Sequence, residues 1–156
     1  MTDRELEQLL ARNPEIAVQD GYIHPDYAPD YAPIVTARKA SEHEEQAAIF
    51  AWSDAAEVEH PELRMLYAVP NGGHRHPAVA AMMKAEGQRA GVPDMCLPVA
   101  RGKWHSLYIE LKVMPNKTTA EQVDWIERLR HYGNSAIVCY GAQEAINAIM
   151  AYLRME

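Results

Sequence analysis

Three ionisable side chains stand in an order that invites chemistry. Asp94 closes the segment Gly91-Val92-Pro93-Asp94, fifteen residues follow, and then comes Glu110-Leu111-Lys112. Glu110 and Lys112 lie in the run Ser106 to Val113, where Leu107, Ile109, Leu111 and Val113 alternate with Tyr108, Glu110 and Lys112. Residues two apart in a strand leave from the same face, so a carboxylate and an ammonium share a face opposite four apolar side chains. Taken alone, Glu-x-Lys suits a solvent-facing edge strand with an ordinary surface pair. Asp94 changes that reading, because the Arg101-Gly102-Lys103 turn lets 95–99 and 106–113 pair as a hairpin that brings Asp94 near Glu110. Two hard oxygen ligands in one place suit Mg²⁺ or Mn²⁺, and the Leu111 backbone carbonyl can add a third. Lys112 beside them can hold an attacking water and offset charge on a phosphate. Phosphodiester hydrolysis asks for this set: a metal that polarises the phosphate, a positioned water, and a cation where charge develops.

The elements around these residues follow from periodicity and punctuation. Residues 4–12 suit a short helix that Pro14 closes, and 19–36 read as an arm carrying Asp26-Tyr27-Ala28-Pro29 and Asp30-Tyr31-Ala32-Pro33, whose prolines break regular structure. Ser41 with Glu44 forms a capping box, and Ala47, Ala48, Phe50, Ala51 and Trp52 give the helix that follows a packed face to about Glu57. Arg64 to Val69 reads as a strand ended by Pro70-Asn71-Gly72-Gly73, and Pro77 opens a second helix to about Arg89. After the two hairpin strands, 118–132 is a helix with Val123, Ile126 and Leu129 inside. Residues 134–140 form a strand covered on both faces, and 142–153 a closing helix with Ile146, Ile149 and Leu153 inside. The order is α-β-α-β-β-α-β-α, an α/β fold with a mixed sheet flanked by helices.

Composition bounds the class. A chain of 156 residues, 48% hydrophobic, is one ordinary domain with a packed core. No apolar run approaches a membrane span, and the first residues lack the parts of a signal peptide, so a cytoplasmic protein is expected. Cys96 and Cys139 have no clustered partners for zinc and are expected to be buried thiols. The net charge of -7 is unevenly spread: residues 72–117 hold seven Lys/Arg against three acids, and the rest eight against nineteen. The middle third can therefore meet a phosphate backbone despite the total. Arg75, Arg89, Arg101 and Lys103 are the candidates for that contact. His74 and His76 lack a third ligand at a useful spacing, and Mg²⁺ prefers oxygen. Trp52, Trp104 and Trp125 are expected in the core or an interface rather than stacked on bases.

From about residue 41 to 153 the chain resembles the VRR-NUC branch of the PD-(D/E)XK nucleases. Several motifs in order carry the likeness: Ser41-Glu42 with Gln46, Tyr67-Ala68-Val69-Pro70-Asn71-Gly72-Gly73, Gly87 with Gly91-Val92-Pro93-Asp94, Ile109-Glu110-Leu111-Lys112-Val113, Thr119-Ala120-Glu121-Gln122 with Trp125 and Leu129, and Gly141-Ala142-Gln143-Glu144-Ala145. The family's name-giving Val-Arg-Arg has no literal copy here. The look is that of small stand-alone phage or prophage members rather than the large Fanconi-associated nuclease. The resemblance implies a restriction-endonuclease-like core at 41–156 behind an N-terminal helix and Tyr/Pro-rich arm at 1–40. It also implies Mg²⁺ or Mn²⁺, a DNA substrate, four-way or other branched junctions, and a homodimer in a bacterial or phage-infected cell. By the same resemblance Asp94 and Glu110 are metal ligands and Lys112 is the catalytic lysine. Glu42 reaches the site from the first helix, where a second metal is one use for it, and Gln122 orients from the helix after the strand.

Glu44 and Glu45 neighbour Glu42. Glu42 is preferred because its spacing to Gln46 matches the family. Asn71 is first a turn residue, since Asn-Gly suits positive φ, and second a substrate contact. Two other readings stand beside the nuclease: a DNA-binding module that does not cut, and an interaction protein that docks through its arm on a recombination or repair complex.

Overall fold

The computed structural model describes residues 40–70 and 76–156. The expected helix at 4–12, the Tyr/Pro-rich arm, and Asn71 to Arg75 lie outside the described residues. Within them the order is α1 (Glu42–Ala56), a 3₁₀ turn (Pro61–Met65), β1 (Tyr67–Ala68), α2 (Pro77–Ala85), β2 (Met95–Leu97), β3 (Leu107–Lys112), α3 (Ala120–His131), β4 (Ser135–Tyr140) and α4 (Ala142–Leu153). The sheet order is β1-β2-β3-β4. β1 and β3 both pair antiparallel with β2, and β3 pairs parallel with β4. This is the mixed α/β sheet expected, and the 95–97/107–109 pairing is the expected hairpin.

The two faces of β3 separate core from chemistry. Leu107, Ile109 and Leu111 are each 1% exposed and share one hydrophobic core with Ile49, Trp52, Ile137, Cys139, Ile149 and Tyr152. Helices α1 and α4 supply that layer. On the other face lies α3, whose Gln122 reaches Glu110 and whose Arg130 holds the Ala136 carbonyl. β3 is therefore an interior strand covered on both sides, and the reading of Glu-x-Lys as a surface pair on an edge strand fails. Both cysteines are buried and free.

Several expectations shift. The strand expected at 64–69 shortens to Tyr67 and Ala68, because Arg64 and Met65 end a 3₁₀ turn that Pro61 opens. The packed face of α1 is Ile49, Trp52 and Ser53, while Ala47, Ala48 and Ala51 face outward. Val123 is 41% exposed, so α3 buries Ile126 alone, with Leu129 half-buried. α2 ends at Ala85 and buries none of its side chains. No helix among the described residues is long and apolar enough to cross a membrane.

Candidate active site

Asp94 is positioned from three sides. Gly91 adopts φ +84°, and its Cα lies so close to the first turn of α3 that a Cβ would fall 2.6 Å from the Glu121 carbonyl carbon. The Trp125 indole N–H donates to the Ala90 carbonyl at 2.9 Å, tying the same loop to the same helix. Past Pro93, the Asp94 carbonyl accepts the Val69 N–H at 2.7 Å. β2 begins only at Met95, so the ladder offers Leu111 no strand acceptor, and Asp94 Oδ2 takes its N–H at 2.8 Å instead. The carboxylate is thereby locked beside β3.

Glu110 lies opposite Asp94 on the same face and is fully buried. Its Oε1 accepts from Lys112 Nζ at 2.6 Å and from Gln122 Nε2. Gln122 stands at the third residue of α3 in a capping box: its Oε1 accepts the Thr119 N–H at 2.8 Å, and its own N–H donates to Thr119 Oγ1. Because the amide oxygen serves Thr119, the nitrogen is the end left for Glu110. The cap that starts α3 thus also orients the carboxylate. Glu110 Oε2 is buried with no hydrogen-bond partner, a costly state for a carboxylate oxygen.

The electrostatics follow from this crowding. Burial pushes Glu110 up to about 7, and Asp94 adds to the rise, while the Lys112 ammonium opposes it. Burial also raises Asp94, against the Leu111 N–H and Lys112, which lower it. For Lys112 burial works downward, but Glu110, Glu42 and Asp94 outweigh it and hold the ammonium above its ordinary range. Two carboxylates facing one another at raised pKa, one with an orphaned oxygen, are the mark of a pocket short of positive charge.

The three acids at the start of α1 have divided roles. Glu44 caps its own helix, receiving Ser41 N and Oγ at 2.8 Å. Glu45 Oε2 accepts the Ala142 N–H at 2.6 Å and so caps α4 across the fold. Glu42 is the one directed at the site, where its charge bears on Asp94, Glu110 and Lys112. Asn116 Nδ2, from the loop after β3, donates to Glu42 Oε1 at 3.1 Å.

The residues present fit a hard divalent cation. No group of three His, Cys, Asp or Glu side chains clusters tightly enough for a protein cage among the described residues. Mg²⁺, however, is ordinarily held by one or two carboxylates, with waters and substrate phosphates completing the shell. The orphaned Glu110 Oε2 beside Asp94 is such a pair.

The sequence candidates for phosphate contact separate. Asn71 and Arg75 fall outside the described residues. Arg89 is exposed, five residues before Asp94 in the chain. Arg101 is committed elsewhere: its guanidinium pairs with Glu62 and donates to the Leu153 carbonyl at 3.1 Å, closing the end of α4. Lys103 lies over the Trp104 ring at 4.6 Å. Both sit at the hairpin turn before Leu107, while Glu110 lies three residues into the strand beyond it, roughly 10 Å further along. The structure does not bring Arg101 or Lys103 to the site. Asn116 is a site neighbour that no local pattern in the sequence marks, since its partner Glu42 lies 74 residues away.

Comparison with known proteins bears on the same residues. The family model described as the VRR-NUC domain matches residues 30–143. A solved structure described as a VRR_NUC domain protein is similar over 76% of this chain and 93% of its own, at 29% identity and a TM-score of 0.66. No curated protein matches the chain.

Proposed function

The chain belongs to the VRR-NUC family, a family of nuclease-type domains that act on DNA, and from that membership we propose that it is a Mg²⁺- or Mn²⁺-dependent endonuclease selective for branched DNA such as a four-way junction. One observation carries the metal-dependent reading: Asp94 and Glu110 face each other with a buried Glu110 oxygen unpartnered, and Lys112 stands beside them.

Asp94 and Glu110 would hold the metal, with the Leu111 carbonyl as a further oxygen; when bound, the ion would act as a Lewis acid toward a phosphate oxygen. The chain's own groups do the rest. The Leu111 N–H keeps one Asp94 oxygen fixed, so the other is presented without rotamer freedom. Gln122 and Lys112 do the same for Glu110 through Oε1. Lys112 stays protonated, because three carboxylates surround it, and it places positive charge where an attacking water and a scissile phosphate would meet. Glu42, held by Asn116, supplies a further carboxylate at the rim for water or a second ion. Arg89, exposed five residues before Asp94, would meet the flanking backbone.

The preference for branched DNA rests on size. A domain this small has little surface to grip a four-armed junction alone, and a twofold dimer would present two sites to symmetric strands. A homodimer is therefore expected, and a clean monomer by light scattering at working concentration would end that part of the proposal.

The test is cutting of labelled four-way junction, flap and linear duplex in EDTA, Mg²⁺ and Mn²⁺, beside Asp94→Ala and Lys112→Ala. Metal-dependent cutting lost in both folded variants, fastest on the junction, is the expected result. Equal rates on all three substrates would remove the selectivity. Tight binding with no cutting under either metal would replace the enzyme with a DNA-binding module.

A further inference from the structure

The face that carries Asp94 and Glu110 continues toward the outer edge of the sheet as a second row of side chains. Tyr67 of β1, Cys96 of β2 and Tyr108 of β3 are cross-strand partners. They share that face, because Cys96 lies two residues from Asp94 and Tyr108 two from Glu110. Cys96 is buried and Tyr108 half-buried, whereas Tyr67 is 47% exposed on the outermost strand. α3 covers the β4 side of this face, reaching Ala136 and Glu110, and Tyr67 at the β1 edge stays exposed. Edge strands are usually blunted by charge or proline; here the edge strand next to Asp94 and Glu110 presents an exposed aromatic side chain.

We propose that Tyr67 is a stacking platform for an unpaired nucleobase of the DNA, next to the phosphodiester held at Asp94 and Glu110. The inference rests on the nuclease reading and deepens it. Tyr67 is the diagonal neighbour of Asp94, about 7–8 Å away between backbones. At about 3.4 Å of rise per nucleotide, the base that meets it lies within about two nucleotides of the scissile phosphate. Bases in an intact duplex are stacked on each other and offer no free face, whereas a branch point does. Stacking on an exposed ring is tolerant of base identity, so Tyr67 selects for strand opening rather than sequence.

The experiment is equilibrium binding in EDTA, where no cutting occurs, to flap and four-way DNA carrying 2-aminopurine at successive positions around the branch. Unchanged protein, Tyr67→Phe, Tyr67→Leu and Tyr67→Ala are compared. The expected result is quenching of the probe at one or two adjacent positions with Tyr and Phe, lost with Leu and Ala. Affinity for branched DNA should fall about 5- to 150-fold in Leu and Ala, the range for one stacked base, with affinity for linear duplex unchanged. Leu keeps an apolar side chain on the strand without a π face, so it answers the question if Ala disturbs folding. Tight binding with the same affinity and quenching in all four proteins overturns the stacking role and leaves the nuclease reading standing. Unchanged protein that neither binds nor cuts any of the DNAs overturns both.

Discussion

Replacing Lys112 by Met keeps most of the side chain's stem and removes its charge, and the cost should depend on pH in a specific way. In the unaltered, metal-free protein Glu110 is pushed from 4.5 up to about 7 by burial, even with the Lys112 ammonium 2.6 Å away. A carboxyl with a raised folded pKa binds its proton more tightly in the folded than in the unfolded chain. Its stabilising effect is fully present below pH about 4.5 and is lost as the pH climbs to about 7. At about 1.4 kcal/mol per unit, that single group removes roughly 3 kcal/mol across the window and no more above it. Without Lys112 the ionised carboxylate is buried with no counter-charge on its Oε1, so its pKa moves beyond 7. The loss then continues at about 1.4 kcal/mol for every further pH unit. The two stability curves should run parallel to about pH 6.5 and separate above it. Urea unfolding in EDTA, followed by fluorescence of the buried Trp52 and Trp104, reads this between pH 5.5 and 8.5. Curves that stay parallel to pH 8.5 would refute the reasoning, since Glu110 would then not be ionising against Lys112.

Other outcomes are fixed by the same geometry. Metal binding needs both carboxylates deprotonated, so the apparent affinity for Mg²⁺ measured by calorimetry should fall about tenfold per pH unit below about 7 and level off above; a flat profile would mean Glu110 is not a ligand. Gly91→Ala forces a Cβ to 2.6 Å from Glu121 at a positive φ. It should cost about 1–3 kcal/mol of stability and weaken metal binding as well, because the loop it distorts ends at Asp94. Glu45→Ala removes the cap on Ala142 N and should cost about 0.5–2 kcal/mol while metal affinity stays unchanged; a drop in metal affinity would place Glu45 at the site after all.

Much of the site was legible because its signals are local. The alternation in 107–113 assigns Glu110 and Lys112 to one face whatever the rest of the fold does, since a strand has period two. The Gly-Val-Pro-Asp turn and the short hairpin limit how far Asp94 can lie from Glu110. Charge count was a poorer guide. Arg101 and Lys103 looked like phosphate contacts because they are basic and near in sequence. They sit at the opposite end of the strands, a fact fixed by strand length and by the partners Glu62 and Trp104. The strand expected at 64–69 shrank to two residues because Pro61 favoured a turn that a pattern of apolar residues does not register.

What the sequence determined by itself is therefore the chemistry of the set: an acid, an acid and a lysine at spacings that two adjacent strands bring together. What only the tertiary structure decided is which neighbours those groups meet. That Glu42 rather than Glu44 or Glu45 faces the site follows from Glu44 being taken by Ser41 and Glu45 by Ala142, and that Glu110 is wholly buried follows from α3 closing over β3. Backbone periodicity is a property of a few residues in a row. Desolvation and hydrogen-bond competition depend on segments up to 97 residues apart, and those meet only when the chain has packed.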